Sequence, residues 1–139
     1  TWMVASMARV PLASASCGLL ASVFSPIDWN EAARLLAPGG GILRLGPARD
    51  HLLELRQKLY DEVREYVDDK HLADLPDSLR LADTQLLEFR VAVDGRGARA
   101  GRRAVARGGG RVSAGRRERV LAGPFEVTVS VRYDWIERQ

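Results

Sequence analysis

LLASVFSPIDWNEAARLLAPGGGILRLGPARDHLL, residues 19–53, reads as strand, polar turn, helix, glycine break, strand and the start of a second helix. The apolar runs Leu19 to Phe24 and Ile42 to Leu45 are short, unbroken and bounded by turn residues, the pattern of strands buried on both faces of a parallel sheet. Between them, Asp28 precedes the helical repeat Ala32, Ala33, Leu35, Leu36, and Glu31 follows three residues later, the spacing of a capping box. Pro38 and Gly39 are expected to stop that helix. The order is that of a βαβ unit. In open α/β sheets ligands bind beyond the carboxyl ends of the strands, so the turns Phe24-Ser25-Pro26 and Gly46-Pro47 are the positions to watch.

The rest of the chain extends this unit. Pro47 and Asp50 open a helix predicted over about residues 50 to 66, with Leu52, Leu55, Leu59 and Val63 on one face. A polar link, Asp68 to Asp77, leads to a strand at Leu86 to Val93, where Leu87, Phe89, Val91 and Val93 alternate with Glu88, Arg90 and Ala92. The clearest strand is the last: Phe125, Val127, Val129, Val131, Tyr133 and Trp135 alternate with Glu126, Thr128, Ser130, Arg132 and Asp134. It suits an antiparallel partner for Leu86 to Val93. Trp2 to Ala5 reads as the end of one further strand, followed by a loop from Ser6 to Gly18.

At 139 residues the chain makes one domain, small for a complete nucleotide-binding α/β enzyme. It starts at Thr1 inside a strand-like run, as a chain cut from something longer would. One cysteine, Cys17, and two histidines exclude an internal disulfide and the usual structural zinc site, so no metal is expected. A reducing, cytoplasmic setting follows. Residues after Arg9 imitate a signal peptide or lipoprotein site, but serines interrupt the apolar run and Ser14 stands where a lipobox wants a leucine-like side chain. No stretch has the roughly 18 apolar residues of a membrane span.

The net charge of +3 is unevenly placed. Between Asp94 and Val120 nine arginines face Asp94 and Glu118, a local balance of +7, leaving −4 for the remainder. Residues 94–123 carry no helical or strand period and read as a disordered, cationic Gly/Arg linker. Such a segment could hold RNA phosphates with strong salt dependence, or simply be a solvated loop.

VASMARVPLAS (4–14), LLASVFSP (19–26), ARLLAPGGGILRLGPARDHLLELRQKLYDEV (33–63) and FEVTVSVRYDW (125–135) together resemble the 23S rRNA (guanine-N1)-methyltransferases, S-adenosylmethionine-dependent enzymes of the class I methyltransferase fold. The likeness covers about residues 2 to 93 and 117 to 136. Its APGGG-strand-GP-helix portion is common to many class I methyltransferases, and GPARDHLLEL followed by LYDEV narrows it. The resemblance implies a partial Rossmann-like α/β sheet, mostly parallel with a C-terminal antiparallel strand pair. Residues 1–93 would be the C-terminal half of the methyltransferase domain and 124–139 the final strand of the same sheet. Trp2 to Ala5 would be the class's third strand, Leu19 to Phe24 the fourth and Ile42 to Leu45 the fifth. The family's glycine-rich cofactor loop and zinc module have no counterpart here, and Gly39-Gly40-Gly41 is expected to be a helix-ending turn.

By the same resemblance the cofactor is S-adenosyl-L-methionine, held by His51 at the start of its helix and by the backbone of Ala5 and Ser6. Phe24, Ser25 and Pro26 would form the target-base pocket, where an aromatic ring can stack on a base. The ordinary readings stand beside these: a helix-terminal histidine making a local hydrogen bond, and a buried phenylalanine at a strand end. Asp28 is better explained as a helix cap than as a base. Guanine N1 lies on the Watson-Crick edge, so the target must be unpaired or flipped. No residue has a clear proton-acceptor signature, and the catalytic residues stay unassigned.

The reading is a fragment of a 23S rRNA guanine-N1 methyltransferase, expected to be inactive as a separate chain, with 23S rRNA as partner, no membrane contact, and a homo-oligomer through an exposed strand edge. Two rivals remain: a noncatalytic RNA-binding module using the Gly/Arg segment, and a class I methyltransferase of a small molecule. The family has an apolar helix where residues 94–120 stand. Equal length with Gly/Arg-rich content suggests a compensated frameshift, restored near Arg116 to Arg119.

Overall fold

The computed structural model describes residues 3–60, 62–63, 72–93 and 123–139. The elements in chain order are β1 (Cys17–Val23), α1 (Trp29–Leu35), β2 (Leu36–Pro47), α2 (Leu53–Leu59), β3 (Leu79–Val93) and β4 (Phe125–Arg138). The described strands form one four-stranded sheet in the order β1-β2-β4-β3. Two compact units divide the chain: Thr1–Pro47 with Val67–Leu86 and Val131–Gln139, and Ala48–Tyr66 with Leu87–Ser130.

In the first unit the βαβ reading holds. β1 and β2 run parallel, from Leu19 opposite Gly41 to Val23 opposite Leu45. Asp28 caps α1: its side chain accepts the Glu31 backbone N–H at 3.0 Å, a contribution of about 1 kcal/mol. Trp29, Ala32 and Leu36 pack with Ile42 of β2, Ile136 of β4 and Leu79 of β3. Leu36, Ile42 and Ile136 are fully buried, and each such side chain is worth about 1.5–3 kcal/mol relative to exposure.

β4 runs antiparallel to β2, with Ile42 opposite Ile136 and Arg44 opposite Asp134. Arg80 of β3 bonds Glu137 and Thr84 bonds Asp134. The partners descend in β4 as they ascend in β3, so this pair is antiparallel as expected. In the second unit α2 lays Leu55 and Leu59 against Val127 of β4, with Tyr60, Val93 and Phe125 around them. Lys58 Nζ sits 5.0 Å from the centre of the Phe125 ring, within cation–π reach.

Several expectations need correction. α1 ends at Leu35, and Leu36 is already extended, so Pro38 does not stop it and the glycines 39–41 lie inside β2 rather than in a turn. The reason is at the strand's own end: Leu36 pairs with Cys17 of β1, and its buried side chain holds that segment in the sheet. Gly41 is required by packing, because a Cβ there would lie 2.3 Å from Cζ2 of Trp135, whose indole covers it. α2 covers only Leu53–Leu59, since Tyr60 is extended; the stretch to residue 66 falls largely outside the described residues. β3 starts at Leu79 and not Leu86.

Met3 to Ala5 are not in a strand; the nearest pairing is an isolated bridge from Ser6 to Arg9. β1 is not buried on both faces: Leu20 and Ser22 face α1, while Leu19 (59% exposed) and Val23 (58%) face outward on an edge strand. The Gly/Arg segment, with the readings attached to it, lies outside the described residues.

Candidate functional site

The turn after β1 is held in an unusual backbone state. Phe24 adopts φ 48°, in the left-handed region, where a bulky side chain costs about 1–3 kcal/mol. Its N–H still donates to Leu45 O at 2.8 Å, as though the strand continued. The ring is half exposed, so the buried-phenylalanine reading does not apply. Ser22 Oγ donates to Ser25 O at 3.2 Å and closes the turn. Beside it lies a mostly apolar cavity of about 260 Å³, lined by Met7, Leu20, Ser22, Ser25, Ile27 and Asp28 among others. A second, more open hollow of about 930 Å³ is bounded by Val4, Ala5, Ser6 and the loop to Ser14. Val10, Leu12 and Glu31 line both. The fold thus brings Ala5, Ser6 and Ser25 to adjoining cavities, with Phe24 and Pro26 flanking Ser25 in the turn.

The loop that walls these cavities is fastened by a residue that sequence reading missed. Arg34 of α1 uses all five guanidinium hydrogens: Nε to Glu31 Oε2 (2.8 Å), Nη1 to Leu12 O (2.9 Å) and Ser14 Oγ (3.2 Å), Nη2 to Val10 O (3.0 Å) and Glu31 Oε1 (2.7 Å). Glu31 Oε1 also accepts the Val10 N–H at 2.7 Å. The Arg34 bonds hold the Glu31 carboxyl down at about 2, with the Val10 N–H helping. Its signal in sequence was the (i, i+3) spacing of Glu31 and Arg34, visible but also consistent with a plain surface pair. Glu31 therefore does not close the capping box; its carboxylate serves the loop.

A polar row crosses the sheet on the α1 side. Register places Ser22, Arg44 and Asp134 side by side, and Thr84 joins from β3. The Asp134 side chain has no solvent exposure and accepts from Arg44 Nη1 (3.1 Å), Thr84 Oγ1 (2.7 Å) and Arg132 Nε (2.7 Å). The guanidinium of Arg44 extends over Gly46. Burial works against the Arg44 charge, and Asp134 offsets it.

His51 belongs to the second unit, in the turn before α2. Its backbone N–H donates to Ala48 O at 3.1 Å, and the next residue, Leu52, takes φ 53°. Burial lowers the imidazole below its ordinary value of 6.5, against a hydrogen bond with the Ser130 backbone, and nearby Arg56 adds to the lowering. His51 is thus neutral at pH 7. Its side chain is only partly buried. On α2, Glu54 accepts both Thr128 N–H (2.8 Å) and Thr128 Oγ1–H (2.6 Å). Burial opposes its charge, but these bonds leave its carboxyl below the usual value.

No family model matches the chain. Over 61 residues, 44% of this chain, it is 39% identical to YxjB of Bacillus subtilis (strain 168), named "Putative 23S rRNA (guanine-N(1)-)-methyltransferase", and the match covers 22% of that relative. Over 51 residues, 37% of this chain, it is 41% identical to a protein of Micromonospora griseorubida with the same description, covering 17% of it. The chain therefore matches about a fifth of the length of these curated relatives. Among solved structures, the YcgJ protein of Bacillus subtilis superposes over 97% of this chain and 69% of its own (TM-score 0.54, 12% identity). A protein of Bacillus halodurans C-125 described as "a putative methyltransferase" does so over 96% and 69% (TM-score 0.53, 10% identity). At such identities the likeness is one of fold. No helix among the described residues is long and apolar enough to cross a membrane. Over part of its length the chain is thus similar to proteins named "Putative 23S rRNA (guanine-N(1)-)-methyltransferase", and its mixed α/β sheet shares the fold of these two solved structures.

Proposed function

We propose that this chain supplies part of an S-adenosylmethionine-dependent methyltransferase that acts on guanine N1 of 23S rRNA. The observation that carries this is the 39% identity over 61 residues to a relative named for that reaction; the fold is compatible with it. The bound cofactor would supply an electrophilic methyl group for transfer to a ring nitrogen. Ala5 and Ser6 would hold its nucleoside part at the larger hollow, whose volume of about 930 Å³ lies within the ordinary range for ligand sites. On the resemblance alone, His51 of the second unit would also contact the cofactor.

The chain's residues would otherwise position. Phe24, in its left-handed turn, presents an exposed ring on which a flipped base can stack, with Ser25 and Pro26 fixing the turn's backbone. Strain at such a position is a common mark of a binding turn. The Arg34 and Glu31 clamp keeps the loop from Val10 to Ser14 in one shape, and rate from positioning depends on such rigidity.

The test is calorimetric titration of the full chain with S-adenosylmethionine, with His51→Ala and Arg34→Lys compared. Saturable binding by the folded chain that His51→Ala abolishes is the expected result; no heat from a folded chain would remove the cofactor assignment. The charge of residues 94–120 favours one rival, a noncatalytic RNA-binding module. Salt-sensitive RNA affinity lost on deleting those residues, without cofactor binding, would establish it instead. Uridine- and adenine-containing oligonucleotides bound as well as guanine ones would count against the guanine assignment.

A further inference from the structure

We propose, resting on the guanine-methyltransferase reading, that Asp28 selects guanine by accepting a hydrogen bond from its exocyclic N2 amino group. The smaller cavity, beside the Phe24 turn, is lined from one continuous stretch of chain, residues 7–35, with Met7, Val10, Leu12, Leu20, Ile27 and Leu35 as its apolar walls. Its volume of about 260 Å³ falls below the range of about 300–1,000 Å³ for sites that take drug-sized ligands. It suits one flat ring system rather than a whole nucleotide or cofactor. In such a slot the few polar groups present decide which ring is held.

Four of the lining side chains carry oxygen: Ser22, Ser25, Asp28 and Glu31. Three are committed elsewhere. Ser22 Oγ donates to Ser25 O and Ser25 Oγ to Pro26 O, each at 3.2 Å. Both oxygens of Glu31 are taken by Arg34, with the Val10 N–H also on Oε1. Asp28 is different. It caps α1 through Oδ1, which accepts the Glu31 N–H at 3.0 Å, and among the described residues this is the only hydrogen bond its carboxylate makes. Oδ2 remains as a charged acceptor at a mostly apolar cavity, and it calls for an N–H donor. Asp28 is only partly buried, so a ligand can reach it. Guanine carries such a donor in its N2 amino group, next to N1 on the Watson-Crick edge that a flipped base presents. A contact at N2 leaves N1 open to the incoming methyl group. The two roles of Asp28 do not compete, because each uses its own oxygen, and the cap holds the carboxylate in place for the second.

Titration of the full chain with guanosine and with inosine reads this contact without turnover, and neither nucleoside carries the phosphate that the arginines of residues 94–120 could hold. Inosine lacks only the N2 amino group. Guanosine should bind about tenfold or more tighter, the effect of one hydrogen bond to a charged acceptor. Asp28→Asn keeps a capping oxygen but offers an amide N–H to N2, so guanosine should fall to the level of inosine while inosine stays unchanged. Asp28→Ser, a second good cap, should do the same, with far-UV circular dichroism confirming that both variants are folded. Equal affinity of the wild-type chain for the two nucleosides, no guanosine binding by the folded chain, or a loss in Asp28→Asn that inosine shares would each overturn the inference. S-adenosylmethionine titration separates it from the reading it rests on. A chain that binds the cofactor but treats both nucleosides alike overturns this inference alone. One that distinguishes them through Asp28 yet binds no cofactor supports it and removes the methyltransferase reading.

Discussion

Asp134→Asn preserves the size of a fully buried side chain and removes its charge. Three donors converge on that carboxylate: Arg44 at 3.1 Å, Thr84 at 2.7 Å and Arg132 at 2.7 Å. The amide can still accept from one of them, but its NH2 group now faces a guanidinium. Arg44 and Arg132 side chains are 13% and 14% exposed, too enclosed to recover full hydration by small movements. Removing one partner of a buried ion pair costs about 3–5 kcal/mol, and the partial exposure of both arginines argues for the lower end, about 3 kcal/mol. For a chain of this size that lowers Tm by roughly 10 °C, a large share of the ~5–15 kcal/mol that holds a typical domain together. Urea unfolding followed by far-UV circular dichroism measures it directly. A cycle with Arg44→Gln separates pair from background and should show coupling of about 1–3 kcal/mol. A loss under about 1 kcal/mol, or additive single substitutions, would refute the claim that Asp134 neutralises an otherwise costly pair of arginines.

Two further outcomes follow from the loop and the carboxylates. Arg34→Lys keeps the charge but cannot reproduce five directed donors, so amide exchange in residues 8–16 should accelerate by about tenfold or more while β2 and β4 stay protected; unchanged exchange would show that the loop orders itself. Glu31 is held at about 2 against an ordinary 4.5, so its stabilisation is complete above 4.5 and is lost as pH falls towards 2, and Glu54 acts in the same direction. Unfolding midpoints measured between pH 5 and pH 2, taken as roughly that window, should fall with acidification, and Glu31→Gln should flatten the slope.

What could be read in the sequence was local. Asp28 caps α1 because its side chain needs only the N–H three residues on, and the alternation from Phe125 to Trp135 needs only strand geometry. Which face of that strand turns inward depended on partners. In β4 the polar Thr128, Ser130 and Asp134 are buried alongside Val127 and Ile136, while Val129, Val131, Tyr133 and Trp135 are only partly buried. The usual inference from polarity fails there because Glu54 satisfies Thr128, and Arg44, Thr84 and Arg132 satisfy Asp134. The start of β2 was hidden for a similar reason: Pro38 and three glycines look like a break, yet the pairing of Leu36 with Cys17 draws them into the sheet. Of the candidate site, the turn at Phe24 was visible as a position, whereas its left-handed backbone and the hold of Arg34 on the loop depend on three-dimensional contacts over 20 or more residues.

The indole of Trp135 resting on Gly41 works as a key in a notch. Trp135 pairs with Leu43 and leans over Gly41. Sliding β4 two residues towards the end of β2 would bring the indole over Leu43, whose side chain fills the space that glycine leaves empty. A slip of one residue would turn Asp134 onto the wrong face. One missing side chain thereby makes the alignment of two strands a matter of shape, which hydrogen bonds alone, repeating identically along the ladder, could not specify.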